Sequence, residues 1–169
     1  MTRQIKSIII HCTATPNGKH FSVSDIDRWH QERGFKRSAE FRQWQNSDLA
    51  AIGYHFVIYP NGAVATGRHL DEIGAHAQGY NSKSLGICLI GTNQFTLEQW
   101  VALRDNVRKL QEHVMLLQGD SHPPIVLGHC DLPNVKKECP GFSVVNWLGN
   151  DMQSLPAHVL GNEEIADDE

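Results

Sequence analysis

The sequence predicts an α/β domain, a mixed central β-sheet flanked by helices. Three observations carry that prediction. Short runs such as Ile8-Ile9-Ile10 and Ile125-Val126-Leu127 are apolar at consecutive positions, as strands buried on both faces must be. They interleave with segments of helical period, the arrangement that covers a sheet on two sides. A Pro60-Asn61-Gly62 turn between two further runs marks a hairpin, which supplies the antiparallel part.

In chain order, Ile5 to His11 reads as a buried strand, followed by a loop over Thr13 to Gly18. Ser22 can cap a helix whose first turn carries Asp25 and whose apolar face is Val23, Ile26 and Trp29, with Gly34 as its stop. Lys36 to Ala51 is polar and weakly patterned. A short helix is expected near Ala39 to Gln45, in an excursion bordering a groove. Gly53 to Ile58 and Ala63 to Thr66 are the hairpin strands, and Gly74 to Asn81 is a glycine-punctuated loop. Leu85 to Ile90 is another strand, closed by Gly91. Thr96 and Gln99 form a capping-box pattern ahead of the longest helix. Its apolar positions are Trp100, Leu103, Val107, Leu110, Val114 and Leu117, a spacing that serves core packing. Ile125 to Leu127 leads into a turn-rich loop, and Ser143 to Leu148 closes the domain as a short helix bearing Trp147.

The chain of 169 residues is long enough for one domain with a real core. Its net charge of −4 is uneven. After Asn150 come six acidic residues and no Lys or Arg, leaving 15 basic against 13 acidic side chains in the body. The division expected is a domain over 1–149 and an acidic, flexible tail over 150–169. No basic stripe points to nucleic acid, and no segment has the length of a membrane span. The N-terminus lacks the pattern of a signal peptide, so synthesis in the cytoplasm is expected, with the four cysteines free rather than paired. A monomer is expected. Of the ten histidines, His20, His69, His113, His122 and His158 sit in polar or terminal settings and read as surface residues.

The stretch Leu127 to Phe142, LGHCDLPNVKKECPGF, holds the chemistry. A strand ending at Gly128-His129 and a loop ending Cys139-Pro140-Gly141 bring an imidazole and a thiolate together. Ile8-Ile9-Ile10 ends in His11, and neighbouring strands of one sheet can set His11 beside His129. His11, His129 and Cys139 then form a three-ligand zinc site with its fourth position open, the pattern of hydrolytic rather than structural zinc. A thiolate ligand weakens the Lewis acidity of the ion, so help from nearby groups is expected. Lys137 can stabilise an oxyanion, and Tyr54 can hydrogen-bond the attacking water or the substrate. Taken singly, each has a plain structural role. His11 would be a satisfied strand-end histidine, Tyr54 a core-edge aromatic, and Cys139 a small buried residue. Lys137 would be a solvated charge with Lys136 as its competitor. Cys130, between His129 and Asp131, raises a cysteine-peptidase alternative, but adjacent residues on an extended segment point apart.

Four motifs in order, IIIHCTAT, IGYHFVIYPNGAVATGR, GAHAQGYNSKSLGICLIG and GHCDLPNVKKECPGF, give the co-occurrence its weight. Together they resemble the zinc-dependent N-acetylmuramoyl-L-alanine amidases, the phage lysozyme-like amidases related to peptidoglycan recognition proteins. The resemblance runs from Ile5 to Trp147. It implies an amidase catalytic domain with a groove over zinc, metal ligands at His11, His129 and Cys139, and catalytic residues at Tyr54 and Lys137. It places His76 and Asn81 at the groove edge, where they touch substrate or shape the loop. Cys130 departs from the Arg or other polar residue usual in the family, and the Asp131–Cys139 loop exceeds that of the shortest phage forms. The function implied is hydrolysis of the amide between N-acetylmuramic acid and L-alanine, on peptidoglycan or soluble muropeptides. The first implies an endolysin released by a holin, the second a cytosolic recycling amidase. A non-catalytic peptidoglycan-binding module is the alternative, and retention of Cys139 argues against it. A polymerase-regulating role, as in one phage relative, has no separate signal here.

Overall fold

The structure, a computed structural model, describes residues 2–161. Five strands form one mixed sheet: β1 (Ser7–Cys12), β2 (Phe56–Ile58), β3 (Val64–Thr66), β4 (Ser84–Leu89) and β5 (Ile125–Gly128), in the order β3-β2-β4-β1-β5. β1 runs parallel to both β4 and β5, β2 runs parallel to β4, and only the β2–β3 hairpin is antiparallel. This is the mixed sheet the sequence predicts. Every residue of β1 and β4 is buried, which is why neither shows polar alternation.

Alternation along β1 sorts its side chains between two layers. Ile8, Ile10 and Cys12 pack with Leu85, Ile87 and Leu89 against α3 (Leu97–Gln118), through Trp100, Leu103, Val107, Leu110 and Val114. Phe142 and the short helix α4 (Val144–Gly149), through Trp147, complete that side. On the opposite face, α1 (Val23–Glu32) sets Ile26 against Val57, Cys88 and Ile90. Both long helices start at capping boxes, Ser22 with Asp25 and Thr96 with Gln99. α3 ends at Gly119, whose φ of 67° is the left-handed turn glycine accepts readily. Leu117, expected on the packed face, is exposed, and its neighbour Gln118 turns inward instead, bonding the N–H and carbonyl of Ile5.

The excursion over 36–51 contains the helix α2 (Ala39–Trp44), as expected, but it does not border the cleft described below. It is tied to the loop after β3 instead. The buried Arg37 guanidinium donates to both carboxylate oxygens of Glu72 and to the carbonyls of Gln45, Asn46 and Leu49. Arg68 donates to the carbonyls of Ile52 and Ile73 and lies 3.8 Å from Glu72. Two guanidinium groups thus share one buried carboxylate. Residues 150–161, expected within the acidic tail, return to the core. Val159 bridges to Phe95, and Met152 and Leu155 pack on the α3 side. The remainder of that expected tail, 162–169, lies outside the described residues. No helix among the described residues is long and apolar enough to cross a membrane.

We predict that Glu72→Ala, which leaves Arg37 and Arg68 buried without their carboxylate, lowers unfolding free energy by about 3–5 kcal/mol. Urea denaturation followed by circular dichroism measures this. A loss below about 1 kcal/mol would show that the pair does not hold the excursion in place.

Candidate active site

The sheet register builds the site. β1 and β5 pair in parallel up to Ile10 opposite Gly128, so the next residue on each strand, His11 and His129, lies side by side. Their ring centroids are 4.6 Å apart. The carboxyl ends of parallel strands are where open α/β sheets place their ligands. Past Gly128 the chain makes a 3-10 turn over His129–Asp131, in which the Asp131 carboxylate accepts the Gly128 N–H at 2.8 Å. The loop then returns to the strand ends. The Cys130 N–H donates to the Cys139 carbonyl at 2.8 Å, and Cys139 Sγ accepts the Cys12 N–H at 3.2 Å. Gly141, at φ 88°, passes so close to Thr92 that an added Cβ would lie 2.0 Å from its carbonyl oxygen. Phe142 then enters the core beside Trp100.

His11, His129 and Cys139 each offer one donor atom, and these atoms all lie within 4.8 Å of one another. His11 Nδ1 is 3.8 Å from Cys139 Sγ. Two imidazole nitrogens and one sulfur, gathered at the floor of a cleft of about 980 Å³, can hold a metal ion and leave a position open to the cleft. Burial, with the charges of His129 and Lys137, holds His11 well below its usual protonation range. Burial and Lys137 lower His129 as well. The contact with Cys12, followed by burial, pushes the Cys139 thiol up. The imidazole lone pairs are therefore available at neutral pH, and ion binding is what releases the thiol proton. All four cysteines are free, and Cys130 is not one of the three donors.

Tyr54 lies just before β2, which is shorter than the Gly53–Ile58 strand expected. Its position is set by α1. The Asp27 carboxylate accepts the N–H groups of Ala50, Ala51 and Ile52 at 3.1, 2.7 and 2.7 Å. His30 Nδ1 accepts the Gly53 N–H at 2.8 Å. The Tyr54 ring then stands 5.2 Å from His11 and 5.1 Å from His30. Burial raises its hydroxyl well above 10, so at neutral pH it is a hydrogen-bond donor rather than a base. Lys136 and Lys137 both line the cleft, and it is Lys137 whose charge acts on His11 and His129. His76 and Asn81 also line it, and both are engaged by the protein's own groups. His76 bonds to His11 and Ser84, and Asn81 Oδ1 accepts the N–H groups of His76 and Ala77. Sequence reasoning passed over His30 and Arg33 on the cleft wall. The available signal was Asp27 and His30, two polar residues one turn apart beside the buried Ile26.

Sequence and structure comparisons place the chain among known proteins. A family model described as N-acetylmuramoyl-L-alanine amidase matches residues 1–142. The chain belongs to this family. The amidase is 30% identical over 154 residues to an endolysin of Enterobacteria phage K11, covering 86% of this chain and 87% of that one. It is 30% identical over 145 residues to the endolysin of Escherichia phage T7, covering 83% of each. Among solved structures, the N-acetylmuramoyl-L-alanine amidase LysC of Clostridium intestinale matches with TM-score 0.66 at 23% identity, over 89% of this chain and 86% of that one. Drosophila PGRP-LB matches with TM-score 0.61 at 24% identity, over 95% and 87%. At such identities these two show a common fold.

Two histidines of this amidase resist protonation away from the three donors. Burial, then Arg3, lowers His55 to about 3; burial, then Arg33, lowers His30 to about 4. In the unfolded chain both titrate near 6.5. Below that pH the unfolded state binds protons the folded state refuses, so stability present above 6.5 is lost as pH falls toward the folded values. We predict that the urea midpoint of metal-free protein drops between pH 7.5 and pH 5.5. A midpoint that stays level or rises would contradict the burial of these rings.

Proposed function

We propose that this amidase is a zinc enzyme that hydrolyses the amide between the lactyl group of N-acetylmuramic acid and L-alanine in peptidoglycan, acting as an endolysin. The observation that carries the reading is the convergence of His11, His129 and Cys139 at the cleft floor. These three would hold the ion, and the names of the phage relatives support the setting. A non-catalytic binding module has no need of the thiol that completes the set. All three donors come from one chain, so a monomer suffices.

Bound zinc would supply Lewis acidity, polarising the substrate carbonyl and making water a stronger acid at neutral pH. The other roles belong to side chains of the protein. Lys137 brings an ammonium to the wall beside His11 and His129, where it stabilises the oxygen that gains negative charge. Tyr54, protonated and held between His11 and His30, donates a hydrogen bond to the water or the substrate. Arg33, Lys136 and Lys137 line the cleft, and no carboxylate does so among the described residues. In a chain of net charge −4, that local excess favours a substrate bearing carboxylates, as peptidoglycan stem peptides do.

Digestion of purified sacculi is expected to free peptides with a new L-alanine amino end and to leave the glycan uncut. New reducing sugar ends without free alanine amines would point to a glycosidase instead. Soluble muropeptides tested in parallel separate wall lysis from recycling. Site variants divide the roles. Cys139→Ser should lose zinc and activity together. Lys137→Ala and Tyr54→Phe should keep zinc while turnover falls on the order of a hundred- to a thousandfold, the usual cost of losing one oxyanion-type donor. Lys136→Ala should keep zinc and turnover, with any loss confined to substrate binding. A crippled Lys136→Ala beside an active Lys137→Ala would transfer the role to Lys136.

A further inference from the structure

His76 contacts one of the three donors directly, with its Nδ1 2.8 Å from His11 Nε2. One proton must lie between two imidazole nitrogens at that distance, and either ring could supply it. The next contact along decides which. His76 Nε2 is 3.3 Å from Ser84 Oγ, and the Ser84 hydroxyl donates to the Tyr80 carbonyl at 2.8 Å. A carbonyl only accepts, so the single hydroxyl proton of Ser84 is committed to Tyr80. Ser84 therefore has only lone pairs to offer His76, and the neutral His76 ring carries its proton on Nε2. Its Nδ1 is then an acceptor, and the proton in the 2.8 Å contact belongs to His11 Nε2. His11 is left with a bare Nδ1, the nitrogen 3.8 Å from Cys139 Sγ.

The surroundings of His76 are shaped to its ring. A Cβ on Gly86 would lie 2.7 Å from His76 Cγ, and one on Gly74 would lie 2.6 Å from His76 Cδ2. The two glycines thus form a slot that the imidazole fills. Asn81 Oδ1 fixes the backbone beneath it by accepting the His76 and Ala77 N–H groups at 2.9 Å each. Ser84 is fully buried at the start of β4, whose pairing with β1 runs from Ser7 opposite Ser84 to His11 opposite Cys88 and beyond. One strand pair therefore places both ends of the relay.

We propose that His76 is a positioning residue that fixes His11 as its Nε2–H tautomer and directs the Nδ1 lone pair toward His129 and Cys139. A metal takes a neutral imidazole through a lone pair, and a partner accepting the other N–H sets the ring orientation and raises its basicity. The consequence for zinc rests on the function proposed above, whereas the tautomer belongs to the metal-free protein.

Two measurements test the inference. Two-bond proton–nitrogen correlation spectra of metal-free, nitrogen-15-labelled protein at pH 7.5 should show both His11 and His76 protonated on Nε2. His11 protonated on Nδ1 would overturn the assignment, whatever the protein does with zinc. Zinc affinity, read by competition with a chromophoric chelator, should fall about 10–100-fold in His76→Leu. His76→Gln should recover most of it, because its amide oxygen can accept from His11 while its NH2 donates to Ser84. Equal affinity in the wild type and His76→Leu, or equal loss in both variants, would rule out a role for the hydrogen bond. Should His76→Leu fail to fold by circular dichroism, the wild-type spectra decide. A wild type that binds no zinc at all would remove the metal reading and leave the tautomer result standing.

Discussion

The parallel pairing of β1 with β5 is the constraint on which the site depends. With Ile10 opposite Gly128, His11 and His129 emerge together at the same end of the sheet. A slip of one residue would turn one of the two side chains to the other face. Burial of Ile8 and Ile10 against α3 and of Ile9 on the opposite side makes that slip costly, since both layers would lose their apolar contacts. Packing that serves stability thereby also fixes the spacing of two donors. The third arrives by a loop, and that loop is pinned at both ends. Asp131 holds its start, while the close pass of Gly141 over Thr92 and the burial of Phe142 hold its end.

Around the three donors the structure keeps polar groups buried but satisfied. Asp27 accepts three backbone N–H groups, His30 a fourth, and Asn81 two more. Unpaired, such groups would each cost on the order of 1–3 kcal/mol; paired, they set the position of the cleft walls. The same low-dielectric surroundings keep the imidazoles neutral and Tyr54 protonated. Arg33, Lys136 and Lys137 line the cleft with no carboxylate beside them in its lining among the described residues. A set of neutral donors beside three cationic side chains in one cleft suits an anionic substrate.

The sheet was legible because its strands are short apolar runs, and both capping boxes could be read as four-residue patterns. Convergence of His11 with His129 could be argued because each directly follows an apolar run. Cys139 needed its loop to fold back, which Pro140-Gly141 only hints at. The role of His76 was out of reach from sequence. Its partner His11 lies 65 residues away, and its slot is made by two glycines, Gly74 in a loop and Gly86 inside a strand, that nothing in the sequence links to it. The excursion over 36–51 was misplaced for a related reason. Its polar residues suggested a groove wall, whereas Arg37 is spent on a buried carboxylate that only the tertiary fold brings near. Leu117 fits the helical period, but in the last turn it is Gln118 that meets the chain, at Ile5.

X-ray absorption at the zinc K-edge of the purified protein tests the central claim most directly, because it counts ligand atoms at the ion. Donation by His11, His129 and Cys139 predicts one sulfur at about 2.3 Å and two imidazole nitrogens at about 2.0–2.1 Å, with a further light atom completing four-coordination. Two sulfurs, drawing in Cys12 or Cys130, or a shell of nitrogen and oxygen alone, would contradict it.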